Sequence, residues 1–223
     1  MSGLFITVEG GDGSGKGTQT KLLKQWLTDQ GHSVKLESFP RHGHPVAEPI
    51  KRFLNGEFGD LHPIPAGIPY SVDRAMAAAD IRKHLGAGGV YIADRFTNSN
   101  AGHNGAKFMT DAERLDYFEW LRSYEYETLS IPKPDHTFIL LTPAHIAQHN
   151  IDKKEKRSYT DKQRDIHEAD ADHLARTYNS YRLLAATYPD EFTVINTMDD
   201  AGEHMRSIED IHAQLQAEVK LLI

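Results

Sequence analysis

The sequence predicts a three-layer αβα fold in which helices cover both faces of a five-stranded parallel sheet. Three observations lead there. Short apolar, β-branched runs alternate along the chain with longer segments of helical periodicity, the pattern of repeated strand–helix–strand crossovers. A glycine-rich stretch stands between the first run and the first helix. The 223 residues hold no Pro/Gly/Ser-rich linker, so a single domain over residues 1–223 is expected.

Leu4-Phe5-Ile6-Thr7-Val8 is the first strand, and from Thr18 to Gln30 the residues Leu22, Leu23, Trp26 and Leu27 form one helical stripe. Between them, Glu9-Gly10-Gly11-Asp12-Gly13-Ser14-Gly15-Lys16-Gly17-Thr18 has the composition of a phosphate cradle. Glycines permit positive φ and close approach, backbone N–H groups turn towards an anion, and the helix N-terminus adds partial positive charge. Gly10, Gly15 and Lys16 fit the spacing G-x-x-x-x-G-K, so Lys16 is expected to reach the β- and γ-phosphates of a nucleotide. The pattern then departs. Gly17 stands where a hydroxyl is usual and the hydroxyl follows at Thr18, which leaves open which hydroxyl contacts Mg2+.

Gly31 stops the first helix, and Val34 to Phe39 forms a second strand ending near Arg41. At that edge of an α/β sheet Arg41 either faces an acidic substrate or is a solvated surface residue. Val46, Ile50, Phe53 and Leu54 make a short amphipathic helix, followed by a Gly/Pro-rich loop over Gly56 to Pro69. Tyr70 to Leu85 is helical in composition, and small residues such as Ala75, Ala77 and Ala78 favour close packing. Val90 to Ala93 is a strand that delivers Asp94 to its tip, the way a carboxylate is placed beside bound Mg2+ in phosphate-loop enzymes. The polar run Thr97-Asn98-Ser99-Asn100, with residues 102–105, is expected as a binding loop outside the core, because unpaired amides and hydroxyls are costly to bury. Thr110 and Glu113 form a capping box that opens a helix to Ser130, whose aromatic stripe is core or dimer surface. His136 to Leu141 is the fourth strand, and Thr142-Pro143 caps the next helix. Ile151 to Asp165 is dense in Lys and Arg, and a mobile polar segment is expected there. A helix over residues 166–188, a last strand at Phe192 to Ile195, and a helix capped by Ser207 and Asp210 and running through Leu222 complete the pattern.

Composition narrows the function. A formal charge of −7 argues against nucleic acid or an acidic membrane as the main partner. The absence of cysteine rules out a disulfide framework and a thiolate zinc site. The 13 histidines are scattered, and pairs such as His145 and His149 have no third ligand nearby, which makes them surface residues rather than metal ligands. No apolar run approaches a membrane span, and the first strand starts too early for a signal peptide, so a cytoplasmic protein is expected.

Phe5 to Lys16, Arg74 within Tyr70-Ser71-Val72-Asp73-Arg74, and Asp94-Arg95-Phe96-Thr97-Asn98-Ser99 resemble, in order and spacing, the thymidylate kinase family. The resemblance implies a phosphate-loop NTPase-type fold and transfer of the ATP γ-phosphoryl to dTMP with Mg2+, giving dTDP for dTTP biosynthesis in a cytoplasmic homodimer. Carried over by residue, Lys16 and the amides of Gly13 to Thr18, including Ser14, Gly15 and Gly17, would hold the ATP phosphates, while Asp12 would receive the acceptor's 3′-hydroxyl. Arg74 and Arg95 would grip the dTMP phosphate, Tyr70 would stack on thymine or sit in the core, and Ser99 and Asn104 would meet the base edge. Asp94 would act through Mg2+ or its waters, with Glu9 a second candidate for the same shell. His103 stands where the family usually has Tyr or Phe, and Asn104 where Gln is common.

Some family members carry a catalytic arginine inside the phosphate loop, where this chain has Gly13. The resemblance places the family lid over Ile151 to Asp165, so Arg157 or Arg164 is expected to close over the γ-phosphate instead, against the alternative of a solvated basic loop. The competing functions are another nucleoside monophosphate kinase or a deoxynucleoside kinase and, in a different class, a phosphate-loop switch protein. A switch has no need of Arg74 and Arg95, and the sequence has no N-K-x-D guanine-reading motif.

Overall fold

The computed structural model describes residues 3–152 and 171–223. Five strands, β1 (Leu4–Glu9), β2 (Val34–Ser38), β3 (Val90–Asp94), β4 (His136–Leu141) and β5 (Phe192–Asn196), pair in parallel in the order β2-β3-β1-β4-β5. The helices are α1 (Lys16–Asp29), α2 (Glu48–Leu54), α3 (Pro63–Gly86), α4 (Thr97–His103), α5 (Asp111–Arg122), α6 (Ala144–Asp152), α7 (Ala171–Thr187) and α8 (Ile208–Val219).

The layers follow from the two-residue period of the strands. Ile6, Val8, Ile92, Phe138 and Leu140 point to one face and pack with Leu23 and Leu27 of α1 and Ile211 and Leu215 of α8. Their neighbours point the other way: Phe5, Tyr91 and Ala93 meet Ala77 and Ile81 of α3, and Ile139 meets Phe118 of α5 and Tyr181 and Leu184 of α7. Both sheet faces are therefore apolar and covered, as a parallel sheet requires.

Three expectations change. The segment read as loop up to Pro69 is helical from Pro63, because the first turn of a helix has no use for the N–H groups that Pro63 and Pro65 lack, and His62 Nδ1 accepts a hydrogen bond from Ile64 N at 3.4 Å. Pro69 lies inside α3. The run Thr97 to Asn100, expected as an exposed loop, is the start of α4, and Thr97, Asn98 and Asn100 are buried. Burial is tolerated because each finds a partner: Thr97 Oγ1 donates to Glu125 at 2.7 Å, Asn98 Nδ2 to Thr137 Oγ1 at 3.3 Å, and Asn100 Nδ2 to the Gly67 carbonyl at 3.1 Å. The helix expected to reach Ser130 stays α-helical only to Arg122 and widens into a π-helical turn over Ser123–Thr128. Of the basic segment expected as polar and mobile, Ile151 and Asp152 close α6, with Ile151 buried, and the rest, including Arg157 and Arg164, lies outside the described residues.

Candidate active site

The C-terminal edge of the sheet gathers the site. After β1 the chain turns through Gly10 to Gly15 into α1, and two glycines there are required sterically. At Gly10 (φ 141°) a Cβ would stand 2.5 Å from the Leu140 carbonyl oxygen, and at Gly13 (φ 78°) it would stand 2.2 Å from that of Ala147. The loop is thus clamped between β4 and α6, and Asn150 Nδ2 adds a 2.9 Å hydrogen bond to the Gly13 carbonyl. Helix α1 begins with no side-chain cap and no acidic residue in its first turn, which leaves its positive end for an anion. Lys16, buried at the same end, donates to the Gly11 carbonyl at 2.7 Å and to Ser14 Oγ at 3.3 Å.

The tip of β3 supplies the neighbouring groups. Asp94 Oδ2 lies 3.5 Å from the point a Cβ on Gly17 would occupy, so this carboxylate and the exposed Thr18 flank the start of α1. Arg95 has φ 69°, a left-handed conformation that costs a non-glycine residue about 1–2 kcal/mol. Its guanidinium reaches back to the loop: Nη2 donates to Asp12 Oδ1 at 2.6 Å and Nη1 to the Gly10 carbonyl at 3.1 Å, with His103 Nε2 2.9 Å from Nη1. Burial opposes its charged form, but the negative field of Asp12, joined by those of Tyr181, Asp94 and Glu9, outweighs this and holds Arg95 above the ordinary arginine value.

Glu9 is completely buried under this turn. It accepts from Phe96 N at 2.7 Å, Ser99 Oγ at 2.5 Å and Tyr181 Oη at 3.1 Å. Burial pushes its carboxyl above the usual carboxylate range, partly offset by Ser99, Arg95 and the Phe96 amide. Its Oε1 holds the Phe96 amide and its Oε2 the Ser99 hydroxyl, both just after Arg95 in the chain, which makes Glu9 the anchor of that strained turn.

Beside the loop lies a cleft of about 200 Å3. Asp12, Asp94 and Arg95 line it with charge; Tyr70, Leu54 and Phe39 give it apolar wall, and Arg74, Ser99, Asn100, His103 and Asn104 give it further polar groups. The structure therefore brings together Asp12, Asp94, Arg95, Tyr70, Arg74, Ser99 and Asn104. It keeps Arg41 off this wall: Arg41 Nε donates to Asp73 Oδ1 at 2.7 Å and its amide to Asp73 Oδ2 at 2.8 Å, so it is neither solvated nor facing the cleft. Arg74 is almost wholly buried and forked against Glu125 of the π turn. Sequence reasoning placed Asn100 in a run expected to bind but gave it no role of its own beside Ser99, and it missed Glu125, whose place among aromatics gave no signal. Among the described residues no group of three or more His, Asp or Glu is placed to hold a metal ion, and no helix is long and apolar enough to cross a membrane.

Comparison with known proteins gives a consistent result. The profile of the family described as "Thymidylate kinase" matches residues 8–208. A thymidylate kinase of Clavibacter sepedonicus is 32% identical over 225 residues, covering 100% of this chain and 97% of the relative. One of Mycobacterium tuberculosis (strain ATCC 25618 / H37Rv) is 33% identical over 186 residues, covering 82% of this chain and 86% of the relative. Among solved structures, thymidylate kinase from Candida albicans aligns with a TM-score of 0.74 at 21% identity, over 99% of this chain and 92% of that one, and so shares the fold.

Proposed function

The chain belongs to the thymidylate kinase family, and on that premise we propose that it transfers the γ-phosphoryl group of ATP to dTMP, giving dTDP and ADP. The observation that carries this reading is Arg95: one guanidinium binds Asp12 and Gly10 of the phosphate loop and also lines the cleft beside that loop, so donor and acceptor phosphates would meet at one cation. Phosphoryl transfer needs this kind of positioning and charge neutralisation, and no protein nucleophile.

In this reading Lys16, the loop amides from Gly13 to Thr18 and the uncapped end of α1 hold the triphosphate. Tyr70 and Phe39 enclose the base, and Ser99, Asn100 and Asn104 lie along its edge. Arg95, with Arg74 behind it, draws the acceptor phosphate towards the loop, and Asp12 takes the 3′-hydroxyl. An acceptor phosphate oxygen bonds to the γ-phosphorus as the bond to the β–γ bridging oxygen breaks, and ADP leaves with that electron pair. Mg2+ suits this site, since it prefers hard oxygen ligands and is commonly held by one or two carboxylates plus substrate phosphates. Asp94 and the Thr18 hydroxyl would hold it at the start of α1, where it would neutralise charge on the β- and γ-phosphate oxygens. Glu9, enclosed by three donors, serves as the anchor rather than as a water-shell ligand. Arg157 or Arg164 remains our candidate for the cation that closes over the γ-phosphate.

A cytoplasmic homodimer completes the proposal. Ile68, Val72 and Met76 lie at i, i+4 and i+8 on α3 and are 37%, 41% and 63% exposed, an apolar stripe suited to a second copy. The test of function is coupled ADP release across the natural nucleoside monophosphates. dTMP should give the highest kcat/KM. Equal values for purine monophosphates would favour a broader kinase, and slow phosphate release independent of any monophosphate would favour a switch protein.

A further inference from the structure

The π-helical turn Ser123–Thr128 has no place in the catalytic arrangement above, yet it delivers a completely buried carboxylate to the back of the acceptor cleft. Single π-helical turns inside helices are rare and recur at functional sites. Here the wide turn follows α5 and carries Glu125 against α3 and the start of α4. Four donors converge on it. Ser71 Oγ (2.7 Å) and Arg74 Nη2 meet Oε1, while Arg74 Nε (2.8 Å) and Thr97 Oγ1 (2.7 Å) meet Oε2. The carboxylate is thereby fixed in plane and orientation by two helices at once, α3 and α4.

Arg74 is held just as firmly. A guanidinium carries five N–H donors. Two go to Glu125 and one, from Nη1, goes to the Phe96 carbonyl at 3.3 Å, which leaves one N–H on each Nη of a residue that lines the cleft. Tyr70 precedes Arg74 by one helical turn and lines the same cleft. A buried ion pair adds little net stability over a well-packed apolar pair, so adhesion between α3 and α5 is a weak reason for building one beneath a substrate cleft.

We infer that Glu125 is a positioning residue of the acceptor site, which fixes the plane of the Arg74 guanidinium so that its two remaining N–H groups present a set geometry to the acceptor nucleotide. Glu125 touches no substrate; it acts through Arg74. The inference rests on the cleft being the acceptor site.

The test is a double-variant cycle on steady-state kinetics with Arg74→Met, Glu125→Gln and the two combined, each checked for a cooperative thermal transition. Glu125→Gln should raise acceptor KM by about tenfold or more while ATP KM stays within about twofold. In the Arg74→Met background, adding Glu125→Gln should change acceptor KM by less than about twofold, because the group it acts through is gone. Independent, multiplying effects would overturn the inference, as would a Glu125→Gln protein that melts earlier but keeps its acceptor KM. If Arg74→Met itself leaves acceptor KM unchanged, the acceptor-site reading fails instead. Should Glu125→Gln not fold, Ser71→Ala and Thr97→Val loosen the carboxylate without unpairing Arg74. A rise of a few fold in acceptor KM with ATP KM unchanged would support the inference, and an unchanged acceptor KM in both would overturn it.

Discussion

Adding one methyl group at Gly13 tests how tightly the phosphate loop is clamped. Gly13 has φ 78° and Gly31 has φ 90°, so alanine at either position meets the left-handed penalty of about 1–2 kcal/mol. They differ in their surroundings. Nothing lies within 4 Å of a Cβ at Gly31, whereas a Cβ at Gly13 would stand 2.2 Å from the Ala147 carbonyl oxygen and 2.9 Å from its carbon. The obstacle is the backbone of α6, which cannot rotate aside, so helix and loop must separate. Overpacking of that kind adds about 1–3 kcal/mol. Gly31→Ala should therefore cost about 1–2 kcal/mol and Gly13→Ala about 2–5 kcal/mol. For a chain of this length each kcal/mol lowers Tm by about 2–4 °C, so Gly13→Ala should melt several degrees below Gly31→Ala in the same buffer. It should also raise ATP KM, since the displaced loop carries the amides assigned to the triphosphate, while Gly31→Ala should not. Equal melting temperatures for the two variants would refute the clamp. The same geometry explains why this chain cannot carry a loop arginine at position 13 without moving α6.

Three further outcomes are expected. Lys16→Met should leave the fold intact and lower kcat by about a thousandfold, because a buried cation at a transferring phosphate contributes several kcal/mol; near-normal turnover in the ADP-release assay would remove Lys16 from the donor site. Replacing Arg157 and Arg164 together by alanine should lower kcat by about a hundredfold with ATP binding in the absence of acceptor little changed, and a variant that keeps most of its kcat would make that segment ordinary solvated surface. Glu9 has a raised carboxyl in the folded state, so its contribution to stability is present below the unfolded value near 4.5 and lost as pH rises through the higher folded value. Glu9→Gln removes that loss. The difference in Tm between variant and parent should move in the variant's favour as pH rises from about 4.5 towards neutrality, and a difference constant over that window would contradict the raised carboxyl.

The sheet was legible because strand signals and structure obey the same period. His136–Leu141 was read with both ends in place, and β1 and β3 extend one residue beyond the apolar run, to the carboxylates Glu9 and Asp94. Two physical reasons account for what was misread. Proline was taken to end structure, but Pro63 and Pro65 occupy the first turn of α3, where a missing N–H costs nothing. Polarity was taken to mean exposure, but the cost of burying Thr97, Asn98 and Asn100 vanishes once Glu125, Thr137 and Gly67 supply partners from other elements. Those partners lie 28, 39 and 33 residues away in sequence, beyond the reach of any local pattern. The donor loop could be read from one contiguous stretch. The cleft could not be read in the same detail, because Asp73, 32 residues away, holds Arg41 off it and Glu125, 51 residues away, sets the placement of Arg74.

Strand order explains why the glycine-rich loop and the cleft adjoin at all. β1 and β3 are not consecutive in sequence, yet they are neighbours in the sheet with Val8 opposite Asp94, so the turns that follow them emerge side by side. The turn after β1 becomes the phosphate loop; the turn after β3 carries Arg95. A residue in ordinary right-handed or extended backbone at position 95 would send its side chain elsewhere, and the left-handed φ of 69° directs the guanidinium across to Gly10 and Asp12. That conformation costs free energy locally, and the hydrogen bonds that fix it come from β1 itself: the Val8 carbonyl accepts from the Arg95 amide at 3.1 Å, and Glu9 accepts from the Phe96 amide at 2.7 Å. One strand end thus supplies both the loop proposed to hold the donor and the carbonyl and carboxylate that fix the turn carrying Arg95. A Glu9 variant should consequently disturb Arg95 before it disturbs the sheet, since the pairing of β1 with β3 and β4 is carried by backbone groups that the Glu9 side chain does not touch.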